Sequence, residues 1–174
     1  MPVHSYTSRR ELEEYRFSPV VTIAVPLLFI LLQAYVPVKF HVLSILDLPL
    51  VAVIFFAVAR RNPIYGALTG ACIGLVQDAL TGQPIGINGM AKSVIGYIAS
   101  SIGVQVDVEN FLTRLLMNFG FSLLQSGMLF VIERFMLGER DLHLLWVHEL
   151  VRAGLNTAVA VPVFLFLDRF KLRD

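Results

Sequence analysis

The chain has 174 residues, 56% apolar and only 16% charged, with a formal net charge of +1 and a mean hydropathy of +0.72. A soluble domain of this size could not hide that much apolar surface, and so balanced a charge offers no single-sign field to nucleic acid or acidic substrates. Cys72 is the sole cysteine, which excludes an intrachain disulfide and a cysteine metal cluster.

The pattern is that of an all-α integral membrane protein. Residues 18 to 168 hold about six apolar stretches, each near the ~20 residues a helix needs to cross ~30 Å of hydrocarbon. Only helices and closed barrels satisfy every backbone group in lipid, and these runs are too long for barrel strands, which alternate over about 10 residues. Residues 1–17 form a polar N-terminal tail that mixes Arg9, Arg10 and Arg16 with Glu11, Glu13 and Glu14. Residues 18–174 form a single transmembrane helical domain. No small-x-small cleavage site closely follows the first apolar run, so Pro19 to Val36 is expected to be a retained anchor.

In chain order the predicted spans are Ser18 to Val36, stopping before Pro37, and a second within Phe40 to Ala59, ending at Arg60-Arg61. Asp47 and Pro49 interrupt that second span, which leaves open an interfacial Phe40 to Leu46. The third is Pro63 to Leu80, with Pro63 suited to a first helical turn. Ile87 to Val106, Phe111 to Met136 and Val147 to Asp168 complete the set. Pro26, Pro49 and Pro162 suggest kinks. Six spans put both ends on one side, with Arg9, Arg10, Arg16, Arg60, Arg61, Arg114, Arg169, Lys171 and Arg173. The other side holds Lys39, Arg134 and Arg140, while Lys92 and Arg152 fall within spans. This bias predicts cytoplasmic termini. The outer 3–4 connection, Thr81 to Gly86, is uncharged. The outer 5–6 connection carries Glu133, Glu139, Arg140, Asp141 and His143, with Trp146 suited to a headgroup anchor.

Polar chemistry follows the same order. Gly66, Gly70 and Gly74 recur every fourth residue on the third span, and at about 100° per residue Gln77 joins their face. Such a stripe admits a second backbone closely. Packing within the chain is the plainer explanation, ahead of a partner-binding groove, with Gln77 adding an interhelical hydrogen bond worth roughly 0.6 kcal/mol. Asp78 closes this span and Lys92 lies near the start of the next. A turn-rich connection makes them neighbours, so a structural ion pair pinning the hairpin is expected ahead of a proton or ion relay. Lys92, Gly96, Ser100 and Gly103 line one face of the fourth span. Arg114, Asn118, Ser122 and Gln125 line one face of the fifth, and Glu149, Arg152 and Asn156 one of the sixth. Those interior faces must avoid lipid, converging on one another, on a cavity or on a partner. Glu149 and Arg152 are spaced to pair within their helix.

Catalysis finds little support. His4, His41, His143 and His148 lack metal-ligand spacing, and GxxxxGK[ST], GxSxG and HExxH are all absent. No cofactor or metal is expected.

From Asp47 to Gly103 the chain resembles a known family. It reads Asp47-Leu48-Pro49-Leu50, Arg60-Arg61-Asn62-Pro63, and GALTGACIGLVQDALTGQPIGINGMAKSVIGY from Gly66 to Tyr97. This is similar to the bacterial rod shape-determining MreD family: a Gly-rich span ending G-L-x-x-D (Gly74 to Asp78), a G-x-x-x-G connection (Gly82 to Gly86), and a following helix with Gly96-Tyr97. Lys92 departs from the apolar or small residue expected of the family there. The resemblance implies an inner-membrane protein of the cell-wall elongation machinery, with a six-helix bundle resembling the substrate-binding subunits of energy-coupling-factor vitamin transporters. It also implies the bitopic partner MreC, with a RodA-type glycosyltransferase, a penicillin-binding transpeptidase and the actin-like MreB nearby.

The function expected on this basis is a non-enzymatic scaffold that binds a partner's transmembrane helix and positions peptidoglycan synthesis. A vitamin-binding transporter subunit is the alternative. Such subunits usually show an A-x-x-x-A-like face on the first span, whereas residues 18 to 36 hold only Ala24 and Ala34. A membrane enzyme acting on a lipid-linked precursor would have to use Asp107/Glu109 or Glu139/Asp141, which solvated loop charge explains better.

Overall fold

Backbone groups in hydrocarbon must find their partners within the chain, and each apolar run meets that demand as a helix. The computed structural model describes residues 16–39, 44–106, 110–136 and 146–172. The tail before Arg16, the pair Asp107 and Glu109, and the 5–6 connection with Glu139, Arg140, Asp141 and His143 lie outside the described residues. Six α-helices follow in order: α1 (Pro19–Lys39), α2 (Leu48–Arg60), α3 (Pro63–Thr81), α4 (Ile87–Gln105), α5 (Phe111–Met136) and α6 (Trp146–Leu167). A short antiparallel pair, β1 (Arg16–Phe17) with β2 (Lys171–Leu172), holds both ends of the described chain together.

Four helices, α1, α3, α5 and α6, are long and apolar enough to cross a membrane. The other two depart from the six expected spans. The second is a helix of 13 residues, about 20 Å long against a hydrocarbon core of ~30 Å. It starts at Leu48 because Asp47 caps it, Oδ1 accepting from the Leu50 amide at 3.0 Å, and Pro49 sits in the first turn where no amide is needed. It stops at Arg61, which adopts a left-handed φ of 51°. The fourth is long enough, but Asn88, Lys92, Ser100 and its glycines make it too polar to qualify. Two proline expectations also change. Pro37 lies inside α1 instead of ending it, and Pro49 marks a helix start, not a kink.

Burial explains how these two helices survive. Every residue of α2 from Pro49 to Ala59 is buried, packed against α4, α3 and α1 and touching α5 and α6. The other helices carry the exposed apolar side chains, whereas α2 is covered by protein from Pro49 to Ala59. Its lower half closes on an aromatic cluster near the β-pair, where Phe17, Phe55 and Phe56 stand edge to face with centroids 5.4–5.5 Å apart and Phe164 lies 5.4 Å from Phe55. Its upper end, at Asp47, reaches a different kind of interior.

Candidate functional site

The glycine stripe of α3 determines how α4 lies. A Cβ on Gly66 would run into the Gly96 carbonyl and the Ser100 hydroxyl, one on Gly70 into the Lys92 carbonyl, and one on Gly74 into the Asn88 carbonyl. From the other side, a Cβ on Gly96 would strike the Gly66 carbonyl. The two backbones therefore touch along three turns, and the stripe is consumed inside the chain. This is the packing expected from the sequence, and it leaves no groove there for a partner.

Where α3 ends, the chain must reverse and start α4. Gly82 (φ 68°) and Gly86 (φ 107°) take conformations that strain any residue with a side chain. Gly86 offers no capping side chain of its own. The carboxylate of Asp78 supplies the cap from the previous helix. It accepts from the amides of Gly86 (2.9 Å), Asn88 (3.2 Å) and Gly89 (3.4 Å), and from the Asn88 carboxamide (2.8 Å). Negative charge at a helix N-terminus is stabilised both by these free amides and by the helix dipole. Asp78 is wholly buried and fully used.

Asp78 therefore does not pair with Lys92, as the sequence had suggested. Lys92 Nζ instead meets Asp47 Oδ2 at 2.8 Å, both groups being out of solvent's reach, and donates to Asn88 Oδ1 at 3.0 Å. Asn88 thus bridges the two acids' territories, one face on Asp78 and the other on Lys92. The miss has a simple cause. Lys92 sits a turn and a half into α4, and Asp47, 45 residues earlier, reaches it because it caps the start of the short α2, which packs against α4. The signal was in the sequence: a lone Asp two residues before a proline, opening an apolar run, is a helix N-cap.

Around this pair the remaining polar faces converge. Asn156 on α6 accepts the Asp47 amide at 2.8 Å and its Nδ2 approaches Ser122 Oγ on α5 at 3.4 Å. Gln125 on α5 donates its carboxamide to Asp47 Oδ2. Gln33 on α1 accepts the Leu48 amide at 3.3 Å. Asn118 approaches Thr157 at 3.4 Å, and Ser100 ties α4 to the Ala57 carbonyl of α2 at 2.9 Å. One buried network, centred on Asp47 and Lys92, therefore draws on all six helices.

Not every expected residue joins it. Arg114 lies at the opposite end, bound to Asp168 at 2.6 Å. Arg152 approaches Glu149 at 3.8 Å on its own helix, as its spacing predicted, and also lines a polar cavity beside Asp47. Gln77 makes no interhelical hydrogen bond; its buried side-chain oxygen has no partner among the described residues, and it lines the same cavity. Tyr97 is 53% exposed on the outside of α4. No group of three or more His, Cys, Asp or Glu able to hold a metal occurs among the described residues.

The family model for the rod shape-determining protein MreD matches residues 15–170. The chain belongs to the MreD family. No curated protein matches it, and no solved structure does. The match extends well past the stretch from Asp47 to Gly103 that carries the resemblance in sequence. MreD-family membership and the four apolar helices make this a multi-pass protein of the inner membrane, belonging to a family that determines cell shape and acts as structural machinery. The MreD motif residues acquire physical roles here. Gly74 admits α4, Asp78 caps it, and Gly82 and Gly86 form the turn between.

Proposed function

We propose that this protein is a non-enzymatic scaffold of the cell-wall elongation complex, which maintains rod shape by binding MreC and positioning a RodA-type glycosyltransferase and a penicillin-binding transpeptidase, with MreB on the cytoplasmic side. Membership of the MreD family over nearly the whole chain carries this proposal. The site chemistry supports it. The buried acids and the lysine are spent on capping and on pairing, and a polar network that ties six helices together gives a rigid body rather than a reaction centre. The termini face the cytoplasm in this scheme, since the basic residues Arg60, Arg61, Arg114 and Arg169 gather at the end where β1 meets β2. The six-helix bundle would share its architecture with energy-coupling-factor substrate-binding subunits.

Affinity purification from native membranes of a rod-shaped host tests the proposal. A single-span MreC-type protein and wall-synthesis enzymes should co-purify, and depletion of the chain should round the cells. Normal rods after depletion, or a purified protein with catalytic turnover, would overturn it.

A transporter-subunit function has one observation in its favour, the polar cavity. At about 230 Å³, that cavity falls below the roughly 300–1,000 Å³ of sites for drug-sized ligands, which places this second reading behind the scaffold.

A further inference from the structure

The cavity beside Asp47 is nonetheless built, and scaffolding gives it no task. It lies at the end of the bundle opposite the β-pair, bordered by side chains from α1, α3, α4, α5 and α6. Its volume of about 230 Å³ equals the liquid volume of about eight waters, room for one small molecule.

The charges on its wall are already committed. Asp47 is held by Lys92, Gln125 and the Leu50 amide. Arg152 approaches Glu149 at 3.8 Å, and Glu133 has a partner of its own within the chain. An ionic guest would find each counter-ion taken and would lose its hydration without compensation. The guest this wall favours is uncharged.

Uncharged oxygens are what the wall still offers. Gln77 is 6% exposed, and its Oε1 is buried with no hydrogen-bond partner among the described residues. Thr81, one turn further along α3, donates its hydroxyl proton to the Gln77 carbonyl at 2.8 Å, which leaves its lone pairs open. Gln33 Oε1 accepts the Leu48 amide at 3.3 Å and, as a carboxamide oxygen, has room for a second donor. All three residues line the cavity. An amide oxygen buried without a donor is a standing cost to the folded state, which a guest hydroxyl removes. An ammonium or alkali ion would also suit these oxygens, but only as an unpaired charge. Several O–H donors on one small neutral molecule meet both conditions.

We propose that this cavity is a binding site for a small uncharged polyol of glycerol to tetritol size. One hydroxyl donates to Gln77 Oε1, and others donate to Thr81 Oγ1 and Gln33 Oε1. The polyol comes either free in solution or as the headgroup glycerol of a lipid.

The test is saturation-transfer NMR on the full chain in phosphatidylcholine nanodiscs, with empty nanodiscs subtracted. Glycerol and erythritol are the probes; acetate, ethylamine and the bulkier trehalose are controls. At least one polyol should give a saturable signal, and the three controls none. Gln77→Leu should weaken that binding tenfold or more and leave the unliganded unfolding midpoint unchanged or higher, because it removes an unsatisfied amide. Leu129→Trp, which fills the cavity from α5, should abolish the signal and carries the test if Gln77→Leu does not fold. In phosphatidylglycerol nanodiscs a site for free polyol keeps its affinity, whereas a headgroup site is already filled and its signal falls several-fold. No saturable signal from either polyol, an equal signal from acetate or ethylamine, or unaltered affinity in a folded Gln77→Leu or Leu129→Trp would each overturn the proposal. Retention of partners in a pull-down is read without any probe, so the scaffold and the cavity site stand or fall separately.

Discussion

A buried ion pair is worth most as a statement of what must not be removed. Replacing one partner leaves the other charge uncompensated in a low-dielectric interior, at a cost of ~3–5 kcal/mol, while replacing both with apolar groups is often neutral. Lys92→Met should therefore reduce stability strongly, by an amount of that order, and Asp47→Leu/Lys92→Met should be less damaged than Lys92→Met alone. Unfolding of the purified variants in detergent measures the difference; a double variant as unstable as the sum of the singles would sink the assignment. Asp47 also caps α2, so recovery in the double variant should be incomplete by about 1 kcal/mol. Asp78→Ala removes the acceptor of four donors at and before the start of α4 and should cost about 1–3 kcal/mol, with Asp78→Asn milder, read in the same assay. The identity of these polar residues was legible in the sequence, because a charged group in an apolar run stands out. Their pairing was not, because nearness along the chain favoured Asp78 for Lys92, whereas the capping requirement of α4 had already claimed Asp78.

Among the elements, α3 and α4 were the most legible. Glycines every fourth residue declare a face that admits another backbone, and the structure fills that face with α4. Gly70→Leu should drive the helices apart through the Lys92 carbonyl and displace the Lys92 side chain from Asp47. Gly120→Ala on α5, where a Cβ would meet nothing within 4 Å, should be neutral or stabilising by up to ~1 kcal/mol. Thermal unfolding of both variants in one detergent makes the comparison; equal losses would refute the close approach of α3 and α4. The limits of α2 were harder to see. Its apolar run invites a full-length span, and only the position of Asp47 as a cap shortens it. A period of 3.6 gives faces, not the tertiary shelter that lets a short helix avoid lipid entirely.

At the scale of the molecule, polar and apolar halves are stacked along the bundle. The aromatic cluster of Phe17, Phe55, Phe56 and Phe164 fills the end near β1 and β2, and the network about Asp47 fills the other. The proposed orientation, with cytoplasmic termini, rests on charge alone. In a Cys72→Ser background, a cysteine at Gln83 should react with a membrane-impermeant thiol reagent added outside intact spheroplasts. One at Asn62 should react only after permeabilisation. The reverse pattern would invert the membrane orientation. Convergence of the stripes of α5 and α6 was expected in kind, yet their common meeting point on Asp47 required knowing how α2 was placed.

The shortness of α2 bears on how such a protein is made. A segment of about 20 Å opened by a buried acid, followed later by a helix carrying a lysine whose insertion alone costs ~2.5–3.5 kcal/mol at mid-bilayer, gives the translocon two passengers that lipid will not readily accept singly. Each becomes comfortable only once its neighbours arrive, Lys92 with Asp47 and the whole of α2 with the helices that wrap it. Biogenesis should then be a concerted release of several helices. Nascent chains halted before α4 has emerged should leave Asp47 without its cation and fall to the membrane's quality-control proteases.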